Sequence, residues 1–339
     1  MTTSKTVESV PAALRVRELM TTGLLSQAVS VLCELNVPDV LSTPRSHTDI
    51  AKEVEADAEG LLPFLRAACA AGVLAEPSTR TFELTDVGQV LKSDHPTSMR
   101  NMCALTCREE FNRTWANAIH TARTGEPCFS VPYGKGFFEY MASNREFATL
   151  FDKAMTSSAA VDNLLSSYDF SRARHVVDVG GGRGAMLASV LKANPHLTGT
   201  LLDLPHVVAN AERIMAEAGV ADRVTLVPGS FFDEIPASGD VYLLSRVIGN
   251  WNDADSLRIL ASVRSVMKPD SRMVIVGQTP SASDRTHYPR QLDLYMFALL
   301  GARLRSYDEY QELFTQVNLT ATEQWNFPDS ESVLEARPV

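Results

Sequence analysis

Residues 175–184 read HVVDVGGGRG, and the chain continues as AMLASVLKANP to Pro195. A short apolar run enters a cluster of glycines and leaves as a helical pattern, the order strand, turn, helix. Glycine belongs in such a turn because the backbone must reverse sharply and approach a ligand with no Cβ in the way. Gly180, Gly182 and Gly184 give the spacing GxGxG, which differs from the GxGxxG of dinucleotide enzymes. Working outward, VVDVGG, GTLLDL, VTLVPG, DVYLLS and RMVIVGQ are short apolar runs separated by helical stretches. Runs of that kind mark a parallel sheet covered on both faces. The expected fold class is therefore α/β, with a doubly wound Rossmann-like domain over residues 169–339.

The second of these runs ends in Asp203, nineteen residues past Gly184. A carboxylate at that strand end can accept hydrogen bonds from both hydroxyls of a ribose, which suits NAD and S-adenosylmethionine equally. The third run ends in PGSFFDEIP, and the fourth, DVYLLSRV, is followed by a helix expected to start near Asn252 or Asp253. With Phe231 placed to face an adenine and Arg246 to pair a carboxylate of the donor, this order matches a class I S-adenosylmethionine-dependent methyltransferase.

Upstream the pattern is different. Leu14, Leu19, Leu24, Leu25, Val29 and Leu32 recur at helical spacing, with Pro38 as a stop signal. Thr48 is expected to cap DIAKEVEA, and AEGLLPFLRAACAAG reads as a helix from Ala58 that closes at Gly72. Two short strands, Val73 to Ala75 and Thr81 to Leu84, complete a winged-helix unit. Its helix in the reading position offers only Arg66 to a nucleic acid, whereas direct readout needs several polar side chains there. Dimerisation is the better use for so apolar a unit. Residues 99–155 are helical and rich in aromatic side chains. The expected domains are 1–98, a winged-helix dimerisation domain, 99–168, a helical linker contributing to a substrate pocket, and 169–339, the methyltransferase domain.

Bulk properties narrow the partners. At 339 residues with 31 Lys plus Arg against 41 Asp plus Glu, the chain carries a net charge of −10 and no basic block, which argues against a phosphate backbone as partner. No apolar run reaches the roughly 18 residues of a membrane span and none has signal-peptide character, so a cytoplasmic protein is expected. The five cysteines lack the spacing of a zinc site or a disulfide framework and read as reduced thiols. No His and carboxylate cluster has ligand spacing, so no metal is expected.

The motifs VVDVGGGRG, GTLLDLP, ADRVTLVPGSFF, LLSRVIGNWND and LDLYMFALLGARLRS together resemble the plant and bacterial small-molecule O-methyltransferase family across nearly the whole chain. Through REEFNRTW, DVYLLSRVIG and SLRIL the sequence is most similar to the bacterial phenazine methyltransferases. The resemblance implies a homodimer, S-adenosyl-L-methionine as donor, and a planar aromatic substrate of phenazine or antibiotic biosynthesis. It also implies donor contacts from Gly180, Gly182, Asp203, Ser230, Phe231, Ser245 and Arg246. Position 230 is usually Asp in the family; Ser230 keeps hydrogen bonding but no charge.

A second departure concerns the chemistry. Relatives that methylate phenols usually read LHDW, with the His as general base, whereas this chain has Ile248, Gly249, Asn250 and Trp251. The carboxylate partner of that His aligns with Leu304. Three outcomes stay open: an acidic aromatic hydroxyl that ionises without a strong base, a ring nitrogen whose lone pair needs no deprotonation, and a homologue that no longer methylates and keeps the donor as a structural cofactor. Asn250 stands beside the missing His and is the candidate to orient the acceptor, or else to cap a helix. Among other groups, His120, His287 and Glu110 are weaker candidates for a base, and Asp293 reads as a structural carboxylate. Phe111, Trp115, Phe129, Tyr295, Met296, Phe297, Leu299 and Leu300 are expected to wall a flat apolar slot.

Overall fold

In the computed structural model the helix Ala12–Glu34 runs from a fully exposed start to a buried end. Leu32 and Cys33 lie in a core with Ile50, Leu65 and Phe82, while Leu14, Val16, Leu19, Met20 and Leu24 remain 44%, 56%, 68%, 79% and 67% exposed. The structure describes residues 11–155, 158–237, 239–280, 288–327 and 331–339. They form two compact units, the described residues within 11–112 and 146–155, and those within 113–145 and 158–339. The stretch 99–168 of the sequence reading is thus shared between the two.

In the first unit Pro38 does close the long helix, by sitting in the first turn of the next one, Val37–Val40, behind Asn36 at φ 61°. The cap expected at Thr48 is corrected to Ser46, whose Oγ accepts from the Asp49 N–H at 3.2 Å ahead of the helix His47–Glu53. Ser46 wins because it ends strand β1 (Arg45–Ser46) and already holds the extended backbone that a cap requires, whereas Thr48 is inside the helix. Asp57 caps Ala58–Ala70 through the Gly60 N–H, and Gly72 closes it at φ +75°. Strands β2 (Leu74–Ser78) and β3 (Thr81–Leu84) complete an antiparallel sheet in the order β1-β3-β2. β2 runs further than expected, so the turn falls after Ser78, with Arg80 at φ 60°. Arg66, the one basic residue on the helix that would read DNA, is paired with Glu76 at 3.4 Å.

The second unit is built on seven strands: β4 (His175–Val179), β5 (Thr198–Asp203), β6 (Val224–Pro228), β7 (Val241–Ser245), β8 (Arg272–Gln278), β9 (Leu319–Asn326) and β10 (Glu331–Pro338). Their order is β6-β5-β4-β7-β8-β10-β9, with β10 antiparallel to both neighbours and the pairs from β6 to β8 parallel. Side chains alternate across β4, so Val176 enters one apolar layer with Leu187, Leu191 and Leu201, and Val177 and Val179 enter the other with Leu244, Ile259 and Phe314. Both faces are covered, and the run of buried positions in HVVDV and VYLLS follows from that. The chain order reverses on either side of β4, which opens a crevice beyond the carboxyl ends of β4 and β7. Among the described residues no helix is long and apolar enough to cross a membrane.

The exposed apolar face of Ala12–Glu34 calls for a cover. The expected outcome is a dimer at micromolar concentration in sedimentation velocity. Changing both Met20 and Leu24 to Glu should weaken self-association by about tenfold or more, the equivalent of ~1.4 kcal/mol, with the far-ultraviolet circular dichroism unchanged.

Candidate active site

The turn after β4 carries Gly180 at φ +70°, Gly182 at +60° and Gly184 at +82°, backbone that L side chains rarely adopt. The reasons for glycine differ along the turn. A Cβ on Gly180 would meet Val247 Cγ2 at 2.9 Å and the Phe231 ring at 3.1 Å, so the chain itself closes over that position. Gly181 and Gly184 have no room because Asp178 and Met215 press on them. Gly182 faces open space, with nothing within 4 Å of its would-be Cβ. A ligand laid along the turn therefore meets bare backbone at Gly182, directly before the helix Ala185–Ala193 and its free N–H groups.

Asp203, at the end of β5, accepts from the Gly182 N–H at 2.7 Å through Oδ2 and from the Leu204 N–H at 2.7 Å through Oδ1. Burial pushes its carboxyl above the usual range, and those two N–H bonds oppose the shift. The same carboxylate thus fixes the turn and stands beside it with lone pairs to spare. Asp178, in the middle of the turn's parent strand, is fully buried, and no hydrogen-bond partner reaches either oxygen among the described residues. Burial, reinforced by the charge of Asp203, raises its carboxyl to about 7.

Across the crevice, Ser245 ends β7 and Arg246 follows at φ 56°, its N–H donating to Val276 O at 2.7 Å. The Arg246 guanidinium, expected to meet the donor's carboxylate, bonds Glu331 at 3.0 Å, and Glu331 is fully buried and also accepts from Asn163 at 2.9 Å. Ser230 Oγ accepts from the Phe232 N–H at 3.1 Å and shapes the loop that presents Phe231. Phe231 lies on Gly180 and packs edge-on to Trp251, ring centroids 5.8 Å apart.

The turn Ile248–Asn250 is a single 3-10 turn. The Asn250 side chain donates one of its two amide hydrogens to Arg246 O at 2.8 Å, four residues earlier. It is not the helix cap; Asn252 is, accepting from Asp255 N–H at 2.9 Å ahead of Asp253–Val266. A Cβ on Gly249 would have one neighbour within 4 Å, Leu304 Cδ2 at 4.0 Å. The two positions that the sequence aligned with a His base and its carboxylate partner are therefore side by side, and both are apolar. Asp293 has the structural role expected of it, accepting from the Leu304 N–H at 2.8 Å.

Of the residues expected to wall a slot, Trp115 and Tyr295 meet with ring centroids 5.8 Å apart, and Met296 and Leu300 are half-buried on the same helix, Tyr288–Leu300. Leu299 is buried, whereas Phe297 points outward, 36% exposed. Phe129 is fully buried against Tyr133, Phe137 and Tyr140, so it is core rather than the wall it was expected to supply. Phe111 belongs to the first unit, buried against Phe147, as does Glu110, which pairs with Arg108 at 3.2 Å. His120 is half-buried on Ala118–Thr124, and His287 lies outside the described residues. Sequence reasoning missed Arg305, Glu331 and the Phe138–Trp251 stack at 5.6 Å. Arg305 and Glu331 are charged residues buried far along the chain from their partners, so no local spacing announces them.

An O-methyltransferase domain matches residues 113–318, and an O-methyltransferase dimerisation domain matches residues 17–94. The chain is 32% identical to a phenazine O-methyltransferase of Lysobacter antibioticus, with all of both chains covered. It is also 32% identical to an 8-amino-8-demethylriboflavin N,N-dimethyltransferase of Streptomyces davaonensis, over 90% of each. A crystal structure of an O-methyltransferase from neocarzinostatin biosynthesis, in complex with S-adenosylmethionine and 2-hydroxy-5-methyl naphthoic acid, superposes with a TM-score of 0.80 at 28% identity, covering 98% of this chain and all of that one.

Two outcomes are expected here. Gly180→Val or Asp203→Ala should weaken S-adenosylhomocysteine binding in calorimetry by about tenfold or more, the scale of a lost hydrogen bond to a charged group, in a folded protein. Asp178 has a folded pKa raised above its unfolded value, so its stabilising share is present below about pH 4 and lost as pH rises towards about 7. Asp178→Asn should therefore gain on the native protein by roughly 1.4 kcal/mol per pH unit across that window and level off above it, as read by denaturant unfolding.

Proposed function

The chain belongs to the O-methyltransferase family and is an S-adenosylmethionine-dependent methyltransferase, and on that premise we propose that it methylates a hydroxyl of a planar aromatic secondary metabolite, a hydroxyphenazine, without a histidine base. The observation that carries this reading is the Gly249–Leu304 pair: a Cβ at Gly249 would lie 4.0 Å from Leu304 Cδ2, so the two positions where base and carboxylate would have to touch are neighbours and neither is polar. Bound S-adenosylmethionine supplies an electrophilic methyl group. Gly180 and Gly182 would hold its amino-acid arm against bare backbone, Asp203 its ribose, and Phe231 with Ser230 its adenine side. The open space at Gly182 supports that assignment. Trp115, Tyr295, Met296 and Leu300 would hold the flat acceptor, and Asn250 would orient it.

The balance of magnitudes favours a base-free route. Positioning a nucleophile in line with the methyl carbon supplies up to roughly 7 to 11 kcal/mol, whereas a general base adds roughly 100- to 10,000-fold in rate. A hydroxyl on an electron-poor aza-aromatic ring is more acidic than an ordinary phenol, and one acidic enough to ionise by itself can forgo the second contribution. Methylation of nitrogen is the second reading, supported by the N,N-dimethyltransferase relative at the same 32% identity as the phenazine enzyme. We further assign dimerisation of two copies to residues 1–98 and donor binding to residues 169–339, with the helices of 99–168 contributing to the acceptor slot.

Incubation with labelled donor and a panel of hydroxylated and carboxylated phenazines, with the new methyl located by mass spectrometry and NMR, tests the reading. A hydroxyl acceptor should give a pH profile that rises with the pKa of that hydroxyl, and a ring nitrogen a profile flat above its own. His120→Gln and His287→Gln should each cost less than about 100-fold. A loss of roughly 1,000-fold from either, at unchanged donor affinity, would place a base there and end the base-free reading.

A further inference from the structure

Arg305 is 1% exposed and holds a positive charge inside the second unit. Its Nη1 donates to Ile248 O at 3.2 Å and its Nη2 to Trp251 O at 2.8 Å, while Nε and Nη2 both reach Asp253 Oδ1, at 3.0 and 2.8 Å. The two carbonyls bracket Gly249 and Asn250. Buried Ser256 seconds the clamp, its Oγ within 3.4 Å of Ile248 O and 3.3 Å of Trp251 O. On the side a Cβ would occupy, Gly249 has one neighbour, Leu304 Cδ2 at 4.0 Å, and it brings no side chain of its own to anchor the turn, so the grip on the flanking carbonyls adds to the turn's own bonds.

The same side chain follows Leu304 directly, so one planar fork ties both edges of the gap left by the absent base. Trp251, whose carbonyl it grips, stacks on Phe138 and packs against Phe231, the ring that covers Gly180. We propose that Arg305 is a positioning residue for methyl transfer, fixing the Ile248–Trp251 turn and with it the polar group that meets the acceptor. The proposal rests on the reading above that this turn borders the acceptor. Lysine cannot replace the arrangement, because its single ammonium lacks the fixed fork that spans two carbonyls and a carboxylate together.

Enzyme labelled with 5-fluorotryptophan gives a fluorine NMR signal for Trp251, assigned by Trp251→Phe. In Arg305→Lys that signal should shift or broaden while those of Trp115 and Trp325 stay in place. Turnover of a hydroxyphenazine at saturating donor should fall about tenfold or more in kcat, with S-adenosylhomocysteine affinity within about twofold of the parent, since orientation and not donor binding is lost. A folded Arg305→Lys enzyme with an unmoved Trp251 signal or parental kcat overturns the proposal. If that variant does not fold, Asp253→Asn, which loosens the guanidinium and leaves it in place, decides by the same two readouts, the expected shift smaller and an unchanged enzyme again overturning it. Should the parent methylate no phenazine, the substrate reading fails, and the Trp251 signal alone then decides the role of Arg305.

Discussion

The glycine turn after β4 hangs on one steric constraint, its close meeting with the loops that follow β6 and β7. Val247 and Phe231 approach the Gly180 backbone so closely that a single methyl group does not fit between them. A parallel sheet whose order reverses at β4 necessarily leaves a crevice there, since the connections leave to opposite faces. The glycine cluster lets the chain turn into that crevice without filling it. Asp203 then stitches the turn to the neighbouring strand through the Gly182 N–H, so the binding loop is shaped before any ligand arrives.

Around this crevice the protein buries three charged residues, and they are handled differently. Glu331 is neutralised by Arg246 and bonded by Asn163. Arg305 is satisfied by two carbonyls and Asp253. Asp178 has neither kind of help among the described residues and responds by holding its proton up to about pH 7. Buried polar groups of this sort cost stability unless satisfied.

On the acceptor side the notable feature is subtraction. With Gly249 and Leu304 facing each other, neither position offers a side chain that could take a proton, and on the base-free reading proposed above the catalytic power comes from geometry. That shifts the burden to whatever holds the turn still. Arg305, Ser256 and the Asn250 amide all converge on backbone carbonyls within four residues of Gly249.

The sequence by itself determined the α/β class and the glycine turn with Asp203 at the next strand end, because these depend on local periodicity and on glycines at short fixed spacing. It also showed that Gly249 and Leu304 stand where relatives carry a His and its carboxylate partner, since a residue type is legible wherever a motif can be aligned. The winged-helix unit was legible too, except at Ser46, whose capping geometry comes from pairing with β3 across 35 residues of chain. Only tertiary structure decided that Phe129 is core and Phe297 surface, because helical and aromatic patterns do not say which neighbour covers a ring. Only tertiary structure gave Arg246 to Glu331 and Arg305 to the Ile248–Trp251 turn, since the partners lie 85 and more than 50 residues away and a long charged side chain chooses among them by burial and reach.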